Sequence, residues 1–175
     1  MRSFIRVVVA VALVCGWLNV ANAEVQVELS AMHICCGACA RGIEKAVQDL
    51  PGVKVTVDKG AATTTIVAEN AAAAEKAIAA IAAAGFHGES DKQELAMKDD
   101  SGASSGKVAR LELTNIHNCC GGCCKAAKEA VKGVAGVSGD SLKPKETTFV
   151  VEGSFSPAAV ITALNDAGFH VKIVK

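Results

Sequence analysis

Cysteine and histidine are the residues of this chain with chemistry to offer. His33-Ile34-Cys35-Cys36-Gly37-Ala38-Cys39 and His117-Asn118-Cys119-Cys120-Gly121-Gly122-Cys123 each carry a C-x-x-C pair, preceded by an adjacent thiol and a histidine. Thiolates are soft donors that select Cu(I), Zn(II) and similar thiophilic ions. A thiol at the start of a helix is acidified by the dipole and by unpaired N–H groups. Gly37-Ala38 and Gly121-Gly122 let each loop turn tightly. The pairs Cys36/Cys39 and Cys120/Cys123 read as metal thiolates. The same pairs would serve thiol–disulfide exchange or form structural disulfides. Cys35 and Cys119 are either third ligands or packing residues, and His33 and His117 are ligands, donors to a ligand, or loop hydrogen-bonders. Cys124, on another helical bearing, reads as packing or an exposed thiol rather than a ligand. No phosphate loop and no paired-carboxylate constellation accompanies them.

Those motifs are duplicated. Residues 32–39 recur as 116–123 at an offset of 84, as do Ala46-Val47 and Gly52-Val53. Ala84-Gly85-Phe86-His87 recurs as Ala167-Gly168-Phe169-His170 at an offset of 83, so one residue is lost between the blocks, in the region of a hairpin. All four histidines thus sit at repeat-equivalent positions. The mature chain is two units, 24–95 and 108–175, split by a small, polar segment, 96–107, that reads as a flexible linker.

Residues 1–23 read as a secretory signal peptide: Arg2 and Arg6, an apolar run from Val7 to Leu18, then Ala21-Asn22-Ala23. The run is too short to span a bilayer comfortably. Export to a periplasmic or secreted location is expected, with no stable membrane insertion after cleavage. Cleavage removes two arginines and Cys15, leaving seven cysteines, an odd number, and a formal charge of −2.

Each unit must hold its loop on a scaffold. Val25-Gln26-Val27-Glu28-Leu29 alternates as a half-buried strand does. Ile43, Ala46, Val47 and Leu50 fall at helical spacing, so a helix runs from about Ala38 to Leu50 and stops at Pro51-Gly52. Val53, Val55 and Val57 alternate as a second strand, a third covers 63–68, an Ala-rich helix covers 71–84, and a last strand begins at Phe86. Unit two reads likewise: strand 108–114, helix 122–132, strands 137–142 and 147–152, helix 156–167, strand 169–174. The expected fold is α+β, two tandem ferredoxin-like βαββαβ sandwiches.

This order, the cysteine motif after strand one, the Pro-Gly-Val and Ala-Gly-Val turns and the Gly-Phe before the last strand resemble the heavy-metal-associated domain of copper chaperones, metal-transporting P-type ATPases and periplasmic mercury-binding proteins. The resemblance covers both units. It implies metal thiolates at Cys36, Cys39, Cys120 and Cys123. The family's usual Gly-Met-Thr before the pair is here His33-Ile34-Cys35 and His117-Asn118-Cys119. In that fold the loop before the last strand lies beside the metal loop, so His87 and His170 would be either ligands or strand-edge residues.

The reading that follows is a non-enzymatic, exported protein that captures and carries a soft ion at each cysteine loop, as chaperone or scavenger. Cu(I) is favoured, with Zn(II) or Hg(II) as other candidates. Its partner would be a metal transporter or another metal-binding domain. The alternative is a periplasmic thiol–disulfide oxidoreductase using the same pairs. Eighteen basic and eighteen acidic residues and 3% aromatics exclude a nucleic-acid binder.

Overall fold

The computed structural model describes residues 23–174; residues 1–22, which hold nearly all of the expected signal segment and Cys15, lie outside the described residues. Unit one runs β1 (Val25–Ser30), α1 (Gly37–Val47), β2 (Val53–Asp58), β3 (Thr63–Ala68), α2 (Ala71–Ala83) and β4 (Glu89–Ser90). Unit two repeats it as β5 (Val108–Thr114), α3 (Gly121–Lys132), β6 (Val137–Asp140), β7 (Phe149–Phe155), α4 (Pro157–Asp166) and β8 (Lys172–Ile173). Each forms a four-stranded antiparallel sheet, ordered β2-β3-β1-β4 and β6-β7-β5-β8. The two helices of each unit pack on one another.

The patterning explains the layers. Val27 and Leu29 point into the core while Gln26 and Glu28 face out. Cys39, Ile43 and Val47, four residues apart, form the buried stripe of α1, and Cys123, Ala127 and Val131 do the same for α3. Asn70 caps α2, its side chain accepting from the N–H of Ala73 at 2.9 Å. In α4, Pro157 occupies the first turn, but the Ser156 hydroxyl makes no cap. The Ala-rich face of α2 lies close on the sheet, as a core with few aromatic rings requires.

Both last strands are shorter than the sequence suggests. Pairing to β1 and β5 covers only Glu89–Ser90 and Lys172–Ile173. Phe86 and Phe169, expected to open those strands, instead pair with each other across the two units as an antiparallel bridge. The His87 N–H donates to Gly168 O at 3.1 Å, and the His170 N–H to Gly85 O at 3.0 Å. Gly85 and Gly168 have φ of +87° and +82°. A Cβ on Gly85 would collide with the backbone of Asn115–His117, and one on Gly168 with the backbone of Ala31–His33. Each glycine therefore ends its own helix and receives the metal loop of the other unit.

Segment 96–107 is also partly held in place. Ser101 is buried and its carbonyl accepts from Ile173 at 2.9 Å, and Asp100 lies 2.7 Å from Lys172 and 2.8 Å from His170. Asp100 and Ser101 of this polar stretch find partners on β8, which composition alone does not disclose.

Gly85→Ala and Gly168→Ala should each undock the units, because both pay about 1–2 kcal/mol for a left-handed side chain and must also displace opposing backbone. Gly102→Ala, at φ +77° with nothing within 4 Å of its Cβ position, pays only the first cost. Small-angle scattering should show a larger radius of gyration for the first two variants and none for the third.

Candidate metal centre

The docking brings the two cysteine loops face to face. Cys36 and Cys120 each occupy the residue before a helix, with extended backbones of φ −154° and −152°. The first turn of each helix then places Cys39 and Cys123 in the core. Within the loops, Cys36 and Cys39 sulfurs lie 3.8 Å apart, and those of Cys120 and Cys123 3.7 Å. Across the units, Cys35 Sγ is 3.4 Å from Cys120 and 3.5 Å from Cys123, while Cys119 Sγ is 3.7 Å from both Cys36 and Cys39. Cys39 and Cys123 meet at 3.9 Å. All seven described cysteines are free thiols, and these distances are non-bonded contacts. Six of the seven form one group.

Their environments differ in a way the fold dictates. The backbone N–H groups of Cys39 and Ala38 near the Cys36 sulfur pull its pKa down from 9.0 to about 6, although the side chain makes no cap hydrogen bond. Cys120 is lowered likewise, chiefly by the N–H of Cys123. Burial pushes Cys35, Cys119 and Cys123 up, and neighbouring sulfurs add to it for the first two. Six adjacent thiols cannot all carry charge without cations. The helix N-termini decide which two ionise first.

The histidines divide. His33 approaches Cys35 and Cys123, and His117 approaches Cys39, Cys119 and Cys123, closely enough to share an ion. The Nε2 atoms of both are buried without a hydrogen-bond partner. His33 stacks on Phe169 at 4.5 Å between centroids, and His117 on Phe86 at 3.9 Å, each ring again crossing to the other unit. Burial lowers the pKa of both, that of His117 to about 4. Neutral imidazoles with free nitrogens suit metal coordination.

His87 and His170 stand apart from the thiols. They are brought to each other, Nδ1 to Nδ1 at 3.5 Å, with rings 10° from parallel. His170 is buried and bonds through Nε2 to Asp100. Reading these two as reaching the loop metal is therefore corrected. The Gly-Phe-His turn is drawn to the unit interface, which fixes their rings there.

The departures in the loops also have structural roles. Ile34 is buried, and Asn118 donates through Nδ2 to Lys143 O at 2.8 Å and Glu146 O at 2.9 Å, tying the β6–β7 hairpin to the loop. Cys124 is buried with its sulfur 3.8 Å from Leu142 O, a packing position. Phe86, Phe169, Gly85 and Gly168 belong to the site although no chemistry marks them. Their one sequence signal is the repeated Ala-Gly-Phe-His block. The segment Gly102-Ala103-Ser104-Ser105-Gly106 has the Gly-x-Ser-x-Gly spacing of a hydrolase nucleophile, but it lies in irregular chain rather than on the strand-to-helix turn such a serine needs.

Residues 26–87 match the family model of the heavy-metal-associated domain. The first unit is a heavy-metal-associated domain. The second repeats its strand order and its cysteine loop, so the chain carries this fold twice. The chain is similar to the N-terminal soluble domains of Bacillus subtilis CopA, with 17% identity over 87% of this chain and 95% of that one and a TM-score of 0.31. It is similar to the water-soluble region of the P-type ATPase CopA from Bacillus subtilis, with 19% identity over 87% and 92% and a TM-score of 0.31. The first two RRM domains of yeast poly(U) binding protein Pub1 match at 12% identity over 85% and 97%, with a TM-score of 0.25. No curated protein sequence matches the chain. A heavy-metal-associated domain whose loop thiols gather in this way is a binding site for a soft metal ion.

In reduced, metal-free protein, alkylation of Cys36 by iodoacetamide should rise with a midpoint near pH 6, while Cys35 and Cys119 react only in strongly alkaline solution. Mass mapping of the labelled peptides reads both. The histidine pair gives a second expectation. Burial first, then the neighbouring His170, depress His87 from 6.5 to about 4, against a partly opposing pull from Asp166 and Asp99. Its neutral ring therefore contributes fully above pH 6.5, and that contribution is lost as pH falls toward the folded value near 4. The urea midpoint of the metal-free protein should drop between pH 7 and about pH 4.5, and less so in His87→Gln.

Proposed function

We propose that this protein is a non-enzymatic, exported carrier of Cu(I), acting as a chaperone or scavenger through the thiols of its two heavy-metal-associated domains. One observation carries the reading: the loops contribute six sulfurs to a single group, with neighbours 3.4–3.9 Å apart. Soft, low-coordinate Cu(I) suits clustered thiolates. The acidified Cys36 and Cys120 supply the entry ligands, being ionised before their neighbours. Cys39 and Cys123, wholly buried, then hold the ion out of water. Export rests on the signal-like residues 1–23, which fit a protein that meets metal outside the cytoplasm. The source or recipient would be a transporter or another metal-binding domain, reached by thiol-for-thiol exchange once the units part. Among the described residues no helix is long and apolar enough to cross a membrane.

Anaerobic competition titration of the reduced protein with Cu(I), Zn(II) and Hg(II) tests this. Tight Cu(I) binding that Cys36→Ser/Cys120→Ser weakens by at least about a hundredfold is expected, since each site loses a direct ligand, where even outer partners cost 10–100-fold. Weak binding that ignores the double substitution would move the pairs to thiol–disulfide exchange.

A further inference from the structure

We propose that the two units exchange a ligand: the extra cysteine of each loop completes the metal site of the other unit, giving two three-thiolate sites, Cys120/Cys123 with Cys35 and Cys36/Cys39 with Cys119. This rests on the soft-metal reading above and specifies how each ion is held.

The sulfur contacts select these sets. Cys35, Cys120 and Cys123 close a triangle with edges of 3.4, 3.5 and 3.7 Å. Cys119, Cys36 and Cys39 close another with edges of 3.7, 3.7 and 3.8 Å. The corresponding sets within one loop do not close, since Cys35 touches Cys39 at 3.6 Å and Cys119 touches Cys123 at 3.7 Å, but neither touches its adjacent cysteine. Cys35 and Cys36 lie within 4.8 Å of one another but outside thiol contact, and it is the opposite unit that brings both members of a pair against each extra thiol.

Two further triangles exist, Cys35/Cys39/Cys123 and Cys39/Cys119/Cys123. Each shares an edge with its neighbours, so ions filling adjacent triangles would crowd one another. The two exchanged triangles share no sulfur and together use all six. A metal–thiolate bond of about 2.3 Å places the three sulfurs of a planar site about 4.0 Å apart. The exchanged triangles reach that size by opening a few tenths of an ångström. The contacts close no tetrahedron, the figure a four-thiolate Zn(II) site requires. Among all-thiolate sets three-coordinate geometry is thus the one on offer, and it suits Cu(I); the four-ligand set Cys39/Cys119/Cys123 with His117 takes sulfurs from both exchanged triangles and competes with them. Loading is an exchange of cations without redox change: each ion enters as the thiols of its triangle give up their protons to solvent.

The histidines follow the same crossing. His33 accompanies Cys35 toward Cys123, and His117 accompanies Cys119 toward Cys39, each with a buried Nε2 that nothing else uses. Gly122 packs beside the same thiols, a Cβ there meeting Cys35 Sγ and Cys120 Sγ at 3.4 and 3.5 Å in ordinary contact.

Two double variants decide which way the ligands run. All substituted positions lie at least partly at the surface, and far-ultraviolet circular dichroism checks that the fold is kept. Cys35→Ser/Cys120→Ser removes two thiols from one exchanged site and none from the other. Cys35→Ser/Cys36→Ser removes one from each. Native mass spectrometry against a Cu(I) chelator counts the ions held, and X-ray absorption counts sulfurs per ion. The unaltered protein should hold two Cu(I) with three sulfurs each. The first variant should keep one ion at unaltered affinity, and the second none, both of its ions being at least about tenfold weaker, the lower end of what even outer partners cost. If instead Cys35→Ser/Cys36→Ser keeps one unaltered ion, the extra thiols serve their own loops and the exchange is wrong. Equal losses from both doubles would point to one indivisible cluster and overturn it as well. If the unaltered protein fails to bind Cu(I) tightly, the soft-metal reading falls first and the exchange with it.

Discussion

The close approach of two backbones at Gly85 and Gly168 is the constraint on which the rest depends. Each glycine terminates a helix with positive φ and accepts the opposite metal loop against its missing side chain. The reciprocal amide bonds of His87 and His170, and the Phe86–Phe169 bridge, then fix the loops in one relation. Without that docking there would be two separate C-x-x-C loops. With it, six sulfurs share one space.

Crowding thiols has an electrostatic consequence. Only the two that cap helices ionise readily, because backbone N–H groups point at them. Cys35, Cys119 and Cys123 are held protonated by burial. The metal-free group is thus a store of exchangeable protons, which a soft metal ion would displace on binding. The stacked His33 and His117 wall the group with neutral rings, adding nitrogen donors but no charge.

The same interface uses the chain's scarce aromatics economically. Phe86 and Phe169 are wholly buried and serve three ends: core packing, the bridge between units and a platform for the opposite histidine. The segment joining the units follows this economy. Its Asp100 meets both His170 and Lys172, so the connector stays near the joint.

The strands, the helices and the duplicated cysteine loops were legible in the sequence, because local patterning decides them. Val27/Leu29 alternation and the Cys39/Ile43/Val47 stripe leave little choice of element, and the 84-residue offset exposes the repeat. The position of each C-x-x-C pair at a helix start was legible too, since that motif is local. The short last strands were not, because Phe86 and Phe169 satisfy their backbones across the interface rather than along β1 and β5. Nor was the place of His87 and His170: their proximity to one another depends on how two folded units dock. What the sequence by itself determined was which atoms could bind a soft ion. Only the tertiary structure decided that they lie together, because sulfurs eighty or more residues apart come within 4 Å through packing that no local pattern encodes.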